Sequence, residues 1–173
     1  MDPDPVFETE IYHPDTDTWT PAAPLNFPKQ YHSIAVLLPD GRVFAAGGID
    51  PTLGGAPARD QRMMVVFSPP YLFAGPRPTV TAAPATMSYA STFNITTPDA
   101  PGTASVALMR PGSVTHHADA GQRYVRLGIA ATAPGSITVN TPPDGRVAPP
   151  GFYMLFIINA AGVPSQARWV QLL

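Results

Sequence analysis

Four histidines are the side chains of this 173-residue chain that most readily bind a transition metal or titrate near neutrality. His13 precedes Pro14 in a turn-forming stretch and reads as a solvated turn residue. His32 follows Tyr31 at the head of an apolar run. His116-His117 lies between a run ending at Met109-Arg110 and the polar turn Asp119-Ala120-Gly121-Gln122. In extended backbone, neighbouring side chains point to opposite faces, so only one of His116 and His117 can look inward. The same alternation keeps Tyr31 and His32 from one site unless the backbone bends between them, and Pro28 close upstream favours a bend. A phenol and two imidazoles would offer O and N donors suited to Cu(II), with Zn(II) as the alternative. Spacing alone favours the blander reading of buried, hydrogen-bonded histidines.

Other chemistries lack their residues. There is no cysteine, which removes disulfides, thiolate metal sites and cysteine nucleophiles within these residues. The carboxylates Asp15, Asp17, Asp40, Asp60, Asp99, Asp119 and Asp144 are scattered through turns, with no pair on a rigid element for two-carboxylate hydrolysis. Ser113 and Ser136 follow glycines but lack the strand-turn-helix setting of a nucleophile elbow. No glycine-rich phosphate loop precedes a helix. The net charge of −2, without a basic run, argues against nucleic acid as a partner. The most apolar stretch, 152–158, is strand length and too short to span a membrane. The acidic, proline-rich start Met1-Asp2-Pro3-Asp4-Pro5 does not read as a secretory signal.

The elements that must position these residues are short. Twenty-three prolines and 14 glycines nearly exclude long helices, while 45% hydrophobic and only 13% charged residues allow a buried core. Strands are predicted at 6–12 and 18–20 around the turn His13-Pro14-Asp15-Thr16-Asp17. Two more, 31–38 and 42–48, flank Pro39-Asp40-Gly41, a strong hairpin signal. Residues 50–62 have no periodicity and read as a loop, followed by a strand at 63–67. Four prolines in Ser68–Pro78 mark a joint that can hold no central strand. Beyond it, strands at 79–82, 91–96, 103–109, 123–129, 136–139, 152–158 and 167–172 have the spacing of an immunoglobulin-like sandwich. Residues 1–70 instead suit hairpins of a propeller blade. Tyr71, Tyr89, Tyr124 and Tyr153 read as core or corner tyrosines, and Trp19 and Trp169 as packing residues. The fold class is therefore all-β: partial kelch-type β-propeller hairpins over 1–70, then an immunoglobulin-like β-sandwich over 77–173.

Several runs, in order, carry a family resemblance. They are Glu10-Ile11-Tyr12-His13-Pro14-Asp15-Thr16 with Trp19, then Gln30-Tyr31-His32-Ser33 leading to Leu38-Pro39-Asp40-Gly41-Arg42-Val43 and Gly47-Gly48. Phe67-Ser68-Pro69-Pro70-Tyr71-Leu72 follows, then Thr115-His116 with Gly121-Gln122-Arg123, Pro149-Pro150-Gly151-Phe152-Tyr153-Met154-Leu155-Phe156 and Asn159-Ala160-Ala161-Gly162-Val163-Pro164-Ser165. Together they resemble the last propeller segment and C-terminal early set domain of the galactose oxidase and glyoxal oxidase family of copper radical oxidases. The resemblance implies a mononuclear copper site in which Tyr31 is the axial tyrosine and general base, His32 the first imidazole and His116 the second. His117 would be a neighbour rather than a ligand.

The resemblance further implies oxidation of a small alcohol, aldehyde or sugar by O2 to give hydrogen peroxide, in an extracellular or cell-surface protein. The family's tyrosine cross-linked to cysteine, its radical cofactor, is absent from this chain. The missing propeller blades become an implied structural partner, and the chain alone is expected to be inactive. A rival reading is a noncatalytic β-sandwich module for binding or structure, with relic metal ligands.

Overall fold

A computed structural model describes residues 6–27, 29, 32–50, 59–60, 62–116 and 118–173, so Tyr31 and His117, to which the resemblance gives an axial-ligand and a neighbour role, lie outside the described residues. The chain is all-β, with 3-10 turns at Pro70–Phe73 and Ala100–Gly102. It divides into two compact units. The first comprises Met1–Val36, Phe44–Phe67 and Val114–Ala118, and the second Leu37–Val43, Ser68–Ser113 and Asp119–Leu173.

In the first unit, β1 (Thr9–His13) and β2 (Thr18–Ala22) form an antiparallel hairpin in which Tyr12 stands opposite Trp19. Their rings lie 4.9 Å apart, and the Tyr12 hydroxyl donates to Asp17 Oδ1 (2.9 Å) across the turn. Strands β3 (Ser33–Leu37) and β4 (Val43–Gly47) flank the Asp-Gly turn. That turn, which clusters with the second unit, closes through Gly41 N–H to the Leu38 carbonyl at 2.9 Å. The stretch read as a loop at 50–62 needs correcting at its ends, because β5 (Ile49–Asp50) pairs antiparallel with β6 (Arg59–Asp60). A two-residue ladder is made by backbone groups alone and leaves no side-chain period to detect. Strand β7 (Val65–Phe67) completes a three-stranded sheet in the order β3-β4-β7.

The second unit has its core between two sheets. Strands β8 (Thr86–Met87), β9 (Thr92–Thr96) and β10 (Thr103–Met109) come first, then the small hairpin of β11 (Val114–Thr115) and β12 (Ala118–Asp119), whose β11 and Ala118 cluster with the first unit. There follow β13 (Tyr124–Leu127), β14 (Ile129–Ala133), β15 (Ser136–Asn140), β16 (Gly151–Asn159) and β17 (Arg168–Leu172). They form a five-stranded sheet, β13-β10-β16-β17-β8, and a three-stranded sheet, β14-β15-β9. Alternate residues fill the space between: Phe93 and Ile95, Ile137 and Val139, Val106 and Leu108, Tyr153, Leu155 and Ile157, Val170 and Leu172. The buried Tyr153 hydroxyl donates to the Pro149 carbonyl (2.7 Å), a bond back to the preceding corner.

Strand β16 is an unbroken apolar run rather than an alternating one because both its faces are covered. Tyr153, Leu155 and Ile157 face the core, and Met154 and Phe156 on the opposite face are 2% and 4% exposed. An apolar cleft on that face is lined by Leu37, Gly41, Tyr71, Met109, Phe156 and Pro164.

Three strand assignments change. Residues 79–82 form no strand; Ala82 makes a single antiparallel bridge to Thr96. The run 123–129 breaks at Gly128, where the chain leaves the five-stranded sheet as β13 and enters the three-stranded one as β14. The two-residue β8, which pairs parallel to β17, has no sequence signature. Two aromatics also differ from their packing assignments: Tyr124, paired with Met109, is 58% exposed, and Trp169, paired with the buried Met154, is 49% exposed. Trp19, at 61%, stands against Tyr12 in the hairpin, with ring centroids 4.9 Å apart.

Candidate metal centre

His32 begins the turn into β3 with φ of +64°, and His116 occupies the β11–β12 turn with φ of +51°. Left-handed backbone is sparsely populated by residues with a side chain, and it persists where surrounding structure imposes it. At His32 the imposing neighbour is β4: a Cβ on Gly47, itself at φ +70°, would come within 3.2 Å of the His32 carbonyl oxygen. Glycine is required there for the two backbones to approach. Lys29 reinforces the approach, its ammonium donating to the carbonyls of Gly47 (3.2 Å) and Met63. Removal of that ammonium from water holds its pKa below the ordinary lysine value.

The β11–β12 hairpin has a rigid base. Asp119 Oδ1 accepts from the backbone N–H groups of Ser113 (2.8 Å) and Gly121 (3.1 Å), and Ala120 N–H donates to the Ser113 carbonyl (3.2 Å). A Cβ on Gly121 would meet the Pro111 carbonyl oxygen at 3.1 Å, which gives a packing reason for glycine in Gly121-Gln122-Arg123.

Within the first unit, these two strained turns bring together histidines 84 positions apart. Their Nε2 atoms lie 2.9 Å from one another, with ring centroids 4.5 Å apart and planes at 84°. On the far side of its ring, His116 Nδ1 is 2.8 Å from Thr115 Oγ1. The separation fits two imidazoles on one metal: with metal–nitrogen bonds of about 2.0–2.1 Å, ligands at right angles stand about 2.9 Å apart. Copper(II) prefers such tetragonal nitrogen and oxygen donors. Among the described residues no group of three or more His, Asp or Glu side chains stands close enough to hold a metal. His13 is occupied elsewhere, its Nε2 lying 2.9 Å from Thr20 Oγ1 in the β1–β2 hairpin.

The structure thus brings together two of the three site residues named from the sequence, His32 and His116, while Tyr31 lies outside the described residues. The sequence reading used Thr115 and Gly47 only as motif residues and gave none of Thr115, Asp119 and Gly47 a part in building the site. Asp119 had a readable signal in its Asx-turn setting, Asp119-Ala120-Gly121. Thr115 had its place in the motif Thr115-His116 with Gly121-Gln122-Arg123, which marks the histidine's register but not a hydrogen bond to it.

Fold and site together define a class: an all-β chain with an immunoglobulin-like sandwich and a converging imidazole pair of metal-ligand geometry. Residues 77–172 match the family described as "Galactose oxidase-like, Early set domain". The chain belongs to this family.

Over 175 residues it is 36% identical to a galactose oxidase of Gibberella zeae, an alignment covering 98% of this chain and 25% of that protein. It is 35% identical over 184 residues to an aldehyde oxidase of Vitis pseudoreticulata, covering 97% of this chain and 35% of that one. Among solved structures, a fungal alcohol oxidase of the AA5 family in complex with copper superposes with a TM-score of 0.83 at 32% identity, over 96% of this chain and 36% of the other. The chain spans about a quarter to a third of the length of these relatives.

Proposed function

We propose that this chain furnishes part of a mononuclear copper centre in an oxidase that converts a small alcohol or aldehyde, with O2, into the oxidised product and hydrogen peroxide. The observation that carries the reading is the convergence of the His32 and His116 Nε2 atoms to 2.9 Å from two left-handed turns. The copper-bound solved relative and the oxidase relatives support it. Residues 1–70 would be the final segment of a kelch-type propeller and 77–173 the early set sandwich, in an extracellular or cell-surface protein.

When bound, copper would polarise a substrate oxygen and accept one electron. The roles of this chain's residues follow from their positions. With copper bound, His32 and His116 would present their Nε2 lone pairs from left-handed turns. Thr115 and Asp119 hold the ring and the hairpin base. Tyr31, carried over from the family pattern, would take the proton of the substrate hydroxyl. Oxidation of an alcohol removes two electrons, and these 173 residues contain no cysteine. The cross-linked cysteine and tyrosine of the family would therefore come from propeller blades outside this sequence.

Two experiments test the reading. Titration calorimetry of the chain with Cu(II) should show one site that is lost in His32→Ala and His116→Ala but retained in His117→Ala. Equal loss in all three would overturn the ligand assignment. Grafted in place of the aligned quarter of a galactose oxidase, the chain should support peroxide release from a primary alcohol, and His116→Ala should abolish it. Release undiminished in that variant would refute the function.

A further inference from the structure

We infer that Thr115 is a positioning residue for the metal centre: its hydroxyl oxygen accepts the Nδ1–H of His116 and thereby commits the Nε2 lone pair to the metal. The inference rests on the copper reading above and adds a residue to it. Thr115 Oγ1 and His116 Nδ1 are 2.8 Å apart, a full hydrogen bond. The opposite nitrogen of the same ring is the one that meets His32 at 2.9 Å.

A neutral imidazole carries one N–H, and whichever nitrogen holds it cannot ligate. Two proton arrangements satisfy the observed contacts. In one, Nδ1–H donates to Thr115 and Nε2 is a lone pair facing His32. In the other, the threonine hydroxyl donates to Nδ1 and His116 Nε2 bears the proton. Only the first leaves Nε2 free to bind a metal, and metal-bound histidines are generally held by an acceptor on their other nitrogen.

The local backbone explains why the acceptor comes from the preceding residue. Consecutive side chains of a strand diverge. His116, however, leaves strand geometry at φ +51°, immediately after β11 ends at Thr115. That turn swings the ring back toward its neighbour's hydroxyl, so the backbone conformation that aims Nε2 also supplies the Nδ1 partner. β-branched threonine restricts its own χ1, which makes the hydroxyl a fixed acceptor rather than a wandering one.

Three versions of the full chain separate this role from a general loosening of the hairpin. Thr115→Val keeps the branched shape and removes the oxygen, while Thr115→Ser keeps the oxygen. Cu(II) affinity by calorimetry should fall about 10–100-fold in the valine variant, the usual cost of losing such a partner, and return to within about threefold of wild type in the serine variant. In the metal-free protein, long-range 1H–15N spectra of the imidazoles should show His116 as the Nδ1–H tautomer in wild type and Thr115→Ser. They should show it shifted toward Nε2–H in Thr115→Val. An unshifted His116 tautomer in Thr115→Val, or a serine variant as weak as valine, would overturn the inference. The tautomer readout needs no copper, so it decides the role of Thr115 even where His116→Ala leaves copper binding intact, a result that would sink the copper reading instead.

Discussion

Both units of this chain are made of short antiparallel strands joined by proline and glycine turns, yet they hold themselves together differently. Every buried hydrophobic residue among those described, from Val80 to Leu172, belongs to the second unit. The first unit has none, while Val6, Tyr12, Trp19, Met63, Met64 and Val66 are all more than 40% exposed. Its hydrogen-bonded ladders are intact, so the difference lies in packing rather than pairing. Isolated hairpins and small sheets are marginal in water without a covered face. Among the described residues the first unit therefore has no buried hydrophobic core, whereas the sandwich supplies its own. The candidate site is built in the less self-sufficient unit, from turns whose strain needs support.

The largest expected contrast is dynamic. In hydrogen exchange on the full chain, amides of β10 and β16 should be protected at least about a hundredfold more than those of β1, β2 and β3, since local opening follows the loss of few buried contacts. Equal protection would erase the distinction between the units.

A smaller contrast follows from cavity formation. Leu155→Ala, at a fully buried site in the sandwich, should cost about 2–5 kcal/mol in urea unfolding. Ile34→Ala in half-buried β3 should cost less than about 1.5 kcal/mol and leave the main transition in place. Reversed magnitudes would place the core in the wrong unit.

The smallest effect is electrostatic. The guanidinium of Arg42, hydrogen-bonded to Asp40 at 2.7 Å, holds that carboxyl below its ordinary value of 3.8. A depressed folded pKa contributes stability that is complete above the ordinary value and is lost as pH falls through the lower one. Solvent screens so exposed a pair, and its contribution is small. Asp40→Asn should therefore cost a small amount of stability at neutral pH and flatten the acid end of the stability–pH profile, where the wild type loses that contribution anyway. A destabilisation at pH 7 exceeding that of Leu155→Ala would contradict it.

The sandwich was largely legible in sequence because its strands obey local rules. Val106 and Leu108, or Ile137 and Val139, alternate with outward residues, and β10 falls on the residues expected for it, 103–109. Legibility failed where nonlocal pairing decides. β8 is two residues whose only support is β17, and Gly128 hides a change of sheet inside one apolar run. Tyr124 and Trp169 look like core aromatics by type, but register turns them outward.

At the site, His32 and His116 could be singled out by residue type, and the family pattern chose His116 over His117. Their left-handed backbone could not be read, because it depends on Gly47 in a neighbouring strand and on a turn closed by Asp119. Side-chain chemistry was visible in sequence, and the geometry that focuses it was not.

The central claim is that His32 and His116 bind one metal ion together. Electron paramagnetic resonance of the chain loaded with one equivalent of Cu(II) tests it directly, through the nitrogen hyperfine pattern. The account predicts splitting from two imidazole nitrogens in the wild type and loss of one in each of His32→Ala and His116→Ala. A spectrum unchanged by both substitutions would contradict it.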